Sequence, residues 1–301
     1  MITRNDADAL IEVQVANELF EGVVRESKAL SMFKRLPNMT SDKTKLRVLD
    51  SLPVAYFVDE TKNNGRKSTS KMAWDAKYIN SAEVAVIIPI KENVLNDASI
   101  DIWAEVKPRA VEAFAKKIDN AIFNGTGKPS DWRDGLIPSV VKAGKSVDST
   151  GKLYEDINNT MAKVEESGYN VTGFLGGTAL KGKMRMLVDN VGQPIKGTEI
   201  DELPKAYLDN GAWDKTKTLV AGDFSQAVYA IRQDVTYKVL TEAVIQDPNS
   251  GEILYNLAQD DMVALRVTMR LGWEIPNPVN AEDETETRFP FAVLNSESNP
   301  I

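Results

Sequence analysis

Residues 45–90, KLRVLDSLPVAYFVDETKNNGRKSTSKMAWDAKYINSAEVAVIIPI, decide the fold. In the first half Leu46, Val48, Leu52, Val54, Tyr56 and Val58 fall on even positions, and in the second Trp74, Tyr78, Val84, Val86, Ile88 and Ile90 do the same. A period of two predicts strands with one apolar face each. Between them Asn64-Gly65 supplies a positive-φ turn, and Lys62, Arg66, Lys67 and Lys71 outnumber Glu60, so the tip is basic and solvated. The whole reads as one extended β-hairpin. An arm of about 14 residues at roughly 3.3 Å each reaches about 45 Å, and a two-stranded ribbon alone is marginally stable. Its apolar face therefore calls for a neighbouring molecule. Val54, Tyr56, Trp74 and Tyr78 on that face, with Lys62, Arg66, Lys67 and Lys71 at the tip, are the expected intersubunit contacts.

Composition narrows the chemistry. A chain of 301 residues, 43% of them hydrophobic, has apolar material for a large core. It holds no cysteine and no histidine. Disulfides, thiolate nucleophiles, Cys and His metal sites and every Ser-His-Asp arrangement are thereby excluded, which argues against catalysis and predicts no cofactor or metal. Thirty-six Lys and Arg against 44 Asp and Glu leave a net charge of −8, so nucleic acid near this protein would be contained and not read by sequence. Acids at Asp6 and Asp8 stand where a signal peptide needs apolar residues, and the apolar run Val84 to Ile90 is too short to cross a bilayer. No membrane partner is expected.

Outside the hairpin, Leu10, Val13, Phe20 and Val24 recur at helical spacing after Asn5 and Asp6, predicting an amphipathic opening helix. The strongest helical pattern runs from Ala98 to Asn124, with Trp103, Val106, Ala110, Phe114, Ile118 and Ala121 on one stripe, a kink or break expected at Pro108, and Gly125 as a left-handed cap. Glycines and prolines then thicken, and an α/β pattern follows. Helices are predicted over Tyr154 to Ser167 and Thr178 to Val191. Strands are predicted over Val171 to Leu175, Thr218 to Ala221, Ala227 to Ile231, Tyr237 to Leu240 and Met262 to Trp273, the last with Val263, Leu265, Val267, Met269 and Leu271 on alternate positions.

Two motifs invite other chemistry. Gly177-Thr-Ala-Leu-Lys-Gly182-Lys183 matches the core of a phosphate-binding loop, but Met184 stands where Ser or Thr would hold magnesium. Asp260-Asp261 and the run Glu282 to Glu286 are carboxylate clusters without the spacing of a calcium loop, so they read as solvated acids.

Taken in order, several stretches resemble the major capsid proteins of tailed bacteriophages, the Hong Kong 97 fold family. They are Lys71-Met-Ala-Trp74, Ala85 to Asn96, Val106 to Gly127, Leu219 to Ser225, Asp261 to Arg266 and Phe289 to Leu294. The resemblance implies an α+β fold with an N-terminal arm (1–37), an extended β-hairpin loop and its base (38–92), and the long spine helix of a peripheral domain (93–127). It further implies an α/β axial domain (128–257), a return strand of the peripheral domain (258–280) and a closing axial segment (281–301). The implied function is a self-assembling icosahedral shell of pentamers and hexamers around double-stranded DNA, built as a procapsid in the bacterial host cytoplasm and ending in the virion. Implied partners are further copies of the chain, a portal, decoration proteins and, since the arm starts almost at Met1, a separate scaffolding protein. Some relatives cross-link a loop lysine; Lys62, Lys67 and Lys71 are candidates, but no partner asparagine is identifiable and no cross-link is expected. The rival readings are an encapsulin-like shell around enzyme cargo and an α/β nucleotide-binding enzyme resting on Gly177 to Lys183.

Overall fold

The computed structural model describes residues 22–53, 69–97, 102–187, 193, 202–248, 250–283, 285 and 287–296. Most of the expected opening helix, the hairpin from Val54 to Ser68 including its Asn64-Gly65 turn, and residues 98–101 and 188–191 lie outside them.

In chain order the elements are α1 (Lys28–Met32), β1 (Lys34–Arg35), β2 (Lys43–Ser51), β3 (Ala73–Asn80), β4 (Ala82–Lys91), α2 (Glu92–Asp97) and α3 (Ile102–Asp119). They continue with α4 (Leu136–Lys142), β5 (Ser146–Val147), α5 (Leu153–Glu165), β6 (Gly173–Gly177), α6 (Thr178–Arg185), β7 (Lys205–Leu208) and β8 (Lys217–Gly222). The last are β9 (Val228–Leu240), β10 (Val244–Gln246), β11 (Ile253–Asn256), β12 (Met262–Glu274) and β13 (Phe291–Asn295).

Two larger sheets organise the molecule. In the first, of order β1-β9-β12-β4, the central strand β12 buries Val263, Leu265, Val267, Met269 and Leu271 and turns Arg266 to solvent, as the alternation predicts. Strand β9 is a single element of 13 residues where two were expected. Arg232-Gln-Asp234 interrupts its apolar pattern, yet the ladder continues through a register shift opposite Thr268 to Leu271 that turns the polar residues outward. The second sheet, of order β5-β13-β8-β6-β7, is apolar on both sides. Leu219, Ala221, Ala292 and Leu294 pack with Ile157 and Met161 of α5 and with Leu180 and Met184 of α6. Val220, Phe291 and Val293 join the main core on the other side. That core runs without a break to Ala110, Phe114 and Ile118 of α3 and to Leu265, Val267 and Met269 of the first sheet. Phe33 sits at the junction, its ring 6.0 Å from Phe123, 6.4 Å from Phe224 and 6.2 Å from Trp273.

The spine helix α3 runs through Pro108 as one helix, so the chain does not break into two helices there. Its buried stripe is the one the spacing predicts, although the Trp103 side chain is outside the described residues. After Asp119 the winding widens to a π-type turn over Asn120–Asn124, and Gly125, at φ +70°, donates its N–H to the Asn120 carbonyl. A Cβ on Gly135 would lie 2.3 Å from the Gly125 nitrogen, so the two glycines let the chain turn back directly onto the helix end.

At that change of pitch lies Asp119, fully buried. Its carboxylate accepts from Ser27 Oγ at 2.7 Å, from Asn210 Nδ2 at 2.7 Å and from the N–H groups of Ala29 and Lys28 at 3.1 and 3.2 Å. Ser27 in turn accepts from the Leu30 N–H, so a residue of the spine helix and the N-cap serine together satisfy the start of α1. Burial holds the Asp119 carboxyl above the ordinary carboxylate range, against the opposing pull of its hydrogen bonds. Asp119→Ala strands these donors, and urea unfolding of the isolated chain is expected to show a loss of about 3 kcal/mol. Because the folded value is raised, wild type gains on Asp119→Asn as pH falls from neutral toward about 4, where the unfolded carboxylate titrates. A stability difference that stays flat over that range would contradict the assignment.

Candidate assembly surfaces

The expected second arm of the hairpin, Trp74 to Ile90, is two strands in two sheets. Strand β3 pairs with β2, while β4 leaves the ribbon and pairs with β12 from Leu271↔Ala82 to Met262↔Lys91. The division falls at Ser81, whose N–H donates to the Asp42 carbonyl at 2.8 Å. Asn80 fastens this corner. Its carbonyl accepts from Trp132 Nε1 at 3.0 Å, and its Nδ2 donates to the Asp131 carbonyl at 2.8 Å. Gly272 makes the approach possible, since a Cβ there would stand 2.4 Å from the Asn80 oxygen.

Register then splits the apolar residues between two faces. Lys45 lies opposite Tyr78 and Leu49 opposite Trp74, whereas Leu46 lies opposite Lys77 and Val48 opposite Asp75. Directly opposed residues share a face, so from Lys43 to Leu49 the even positions of β2 meet the odd positions of β3 and the apolar residues do not share one face there; a register shift follows between Leu49 and Ser51. The inner face carries Leu46 and Ile79, which pack with Met39, Leu36, Val228 and Ala230, and Val48, which is buried. Lys77 is on this side; burial lowers its ammonium pKa, and the charge of Glu274 opposes the shift. Glu274 also accepts from Arg133 at 2.6 Å, and the Arg133 guanidinium lies 5.6 Å from the Trp273 ring centre and 5.9 Å from that of Phe289. A backbone bond from Val279 N–H to the Leu49 carbonyl at 3.0 Å completes the attachment.

The outer face has no such cover. Trp74 is 61% exposed and Tyr78 49%, with Met72 and Lys71 also open to solvent beside them. Lys71, Trp74 and Tyr78 are thus the expected contact residues that the structure places, all solvent-facing; Val54, Tyr56, Lys62, Arg66 and Lys67 lie outside the described residues.

A second exposed apolar surface escaped the sequence reading. The β10–β11 hairpin exposes Val244, Ile253, Leu254 and Tyr255, and its base rests on Leu257, Met262 and Ala264 at the start of β12. Asp247-Pro-Asn-Ser-Gly251 makes its turn: Asp247 N–H donates to the Glu252 carbonyl at 2.8 Å, Ser250 N–H donates to Asp247 Oδ1 at 2.8 Å, and Gly251 sits at φ +73°. That turn signal between two apolar triplets was available in the sequence. The ribbon meets β12 near Gly272 and the hairpin meets it at Met262, so the two are attached at opposite ends of one strand, about 33 Å apart along it.

The nucleotide-like motif resolves into ordinary packing. Gly177 ends β6 and Thr178 opens α6, which places Lys181 to Lys183 inside a helix whose Leu180 and Met184 are buried. A Cβ on Gly182 would meet nothing within 4 Å, so no described part of the chain requires glycine there. Asp260 Oδ2 accepts the Asn256 N–H in a turn. Among the described residues no cluster of three acids could hold a metal ion, and no helix is long and apolar enough to cross a membrane.

A mixed helix-and-sheet body with a tethered ribbon and two exposed apolar surfaces attached at opposite ends of β12 defines a protein that associates with itself. The phage capsid family matches residues 7–281. The major capsid protein of Staphylococcus phage 80alpha is 28% identical over 301 residues, covering 97% of this chain and 88% of that protein. A solved structure from Microbacterium phage Oxtober96 superposes with a TM-score of 0.79 at 35% identity, covering 90% of this chain and 91% of that one. One from Mycobacterium phage Adephagia gives 0.81 at 29%, with 91% of each chain covered. The chain belongs to the phage capsid family. It is a major capsid protein of a tailed phage, and it assembles with itself into the capsid of the virion.

The outer ribbon face gives a direct test. Replacing Trp74 and Tyr78 together by serine is expected to leave the melting temperature of the isolated chain within about 2 °C of wild type, because neither ring is packed at home. The same variant is expected to lose assembled particles in sedimentation.

Proposed function

We propose that the chain adopts the Hong Kong 97-type arrangement and builds an icosahedral shell of pentamers and hexamers that encloses double-stranded DNA. The observation that carries this reading is the ribbon fastened at Ile79 and Asn80 while Trp74 and Tyr78 stay exposed. Burial at roughly 25 cal/mol per Å², repeated at every equivalent contact, lets modest interfaces add to a strong shell. In this reading residues 1–37 are the N-terminal arm, 38–92 the extended loop and 93–127 the spine of the peripheral domain. Strand β9 pairs with β12 and β1, so 228–240 goes with the return strand 258–280, and 128–227 with 281–301 form the axial domain. The tip cations Lys62, Arg66 and Lys67, with Lys71, meet acidic surface on the next subunit, where Val54 and Tyr56 also make contact. A separate scaffolding protein, a portal and decoration proteins complete the particle, which assembles in the host cytoplasm. The likeness to a phage major capsid protein favours a genome over enzyme cargo inside the shell.

Particles purified from cells that also carry the remaining phage head proteins test the reading. The expected content is nuclease-protected double-stranded DNA; shells filled with a protein cargo, or no shells at all, would contradict it. Charge reversal at Lys62, Arg66 and Lys67 is expected to lower the temperature at which these particles fall apart, read by light scattering, and an unchanged temperature removes the tip from the interface.

A further inference from the structure

The two helices on one side of the five-stranded sheet carry opposite charge. Helix α5 packs on β13, β8 and β5, whereas α6 packs on β6 and β7. Since β5 and β7 are the two edge strands, the helices lie side by side with roughly 19 Å of sheet between the edges. The exposed side of α6 presents Lys181, Lys183 and Arg185, and its sequence TALKGKMR contains no acid. None of the three makes an ion pair with a described residue; Lys181 lies 4.9 Å from the Tyr207 ring centre, and Arg185 Nε donates to the Lys181 carbonyl at 3.2 Å. Lys215 and Lys217 extend the basic surface around the cavity beside the start of this helix, where Asp209 is the acid.

The α5 edge is the reverse. Glu155, Glu165 and Glu166 face solvent along the helix, with Lys152 held by Glu155 at 3.0 Å and Lys163 by Glu166 at 3.2 Å. The loop that follows β12 adds Glu282 and Asp283 at the end of α5: Asn280 Nδ2 donates to the Ser167 carbonyl at 2.7 Å and fixes the loop there. Glu165 and Glu282 have no cationic partner within the described residues. Asp156 is not part of this edge, being buried and capped by Ser149 and Thr150.

We propose that adjacent copies in a ring meet through these edges, the basic α6 of one subunit against the acidic α5 edge of the next. A patch facing a different patch generates a closed ring by head-to-tail contact, and opposite charge on the two edges selects that order while rejecting α6 against α6. This inference rests on the shell reading and adds the partner surface within a ring.

Zero-length carbodiimide coupling of wild-type particles, followed by mass spectrometry, is the first test. Cross-links from Lys181 or Lys183 to Glu165, Glu166 or Glu282 are expected, and in particles assembled from mixed ¹⁴N- and ¹⁵N-labelled chains they carry both labels; links confined to one label overturn the proposal. Their absence from particles that do form overturns the proposal and leaves the shell reading standing, whereas failure of wild type to form particles sinks the shell reading itself. In a second test Lys181, Lys183 and Arg185 are changed to Glu in one variant and Glu165, Glu166 and Glu282 to Lys in another. Each alone is expected to lower particle yield at least about tenfold. The chain carrying all six changes is expected to recover it, and a mixture of the two variants recovers only even-membered rings, which alternate. Wild-type yield from either single variant, or no recovery by the six-fold exchange with melting unchanged, overturns the proposal.

Discussion

Ile79 is fully buried, and Trp74, five residues earlier on the same strand, is 61% exposed. Between them the ribbon passes from a part covered by its own chain to a part that no described residue covers. The anchoring is local and specific: Leu46 and Ile79 enter a small apolar cluster, Asn80 is gripped by Trp132, and Gly272 yields the space for the Asn80 carbonyl. An anchored base fixes the direction in which the arm leaves the body. A free outer face then has a defined place to look for cover, which is what a repeated contact in a shell requires.

The rest of the molecule holds that base steady. The sheet that carries the ribbon and the sheet flanked by α5 and α6 share one continuous core, with Phe33 in ring contact with Phe123, Phe224 and Trp273 at the junction. Asp119 ties the beginning of α1 to the end of the spine helix and, through Asn210, to the loop after β7. A buried carboxylate without a cation is costly, and its worth lies in accepting four hydrogen bonds that no apolar residue could satisfy.

Much of this was legible in the sequence. The alternation in β12, the buried stripe of the spine helix and the left-handed cap at Gly125 follow from local periodicity and from a single glycine, and each is found where it was expected. The ribbon was legible as a ribbon. Its register was not, because the pattern along each strand says which residues share a side but not which side of the partner they meet; the pairing sets that parity, and here Leu46 and Val48 went inward while Trp74 and Tyr78 went outward. Nor did periodicity reveal the break at Ser81, since apart from Asn80 the even positions are apolar from Trp74 to Ile90 while the strand changes partner. Strand β9 was cut in two by a polar triplet that a register shift accommodates, and the β10–β11 hairpin was too short to stand out from its surroundings. Of the candidate contact residues, Lys71, Trp74 and Tyr78 are solvent-exposed, and their contact with another copy belongs to the proposal.

The most direct measurement is hydroxyl-radical footprinting of Trp74 and Tyr78 in the isolated chain and in assembled particles, read by mass spectrometry. Completion of the outer ribbon face by a neighbouring copy predicts that both rings oxidise readily in the isolated chain and are protected in the particle, while buried Trp273 stays protected in both. Equal oxidation of Trp74 and Tyr78 before and after assembly would contradict it.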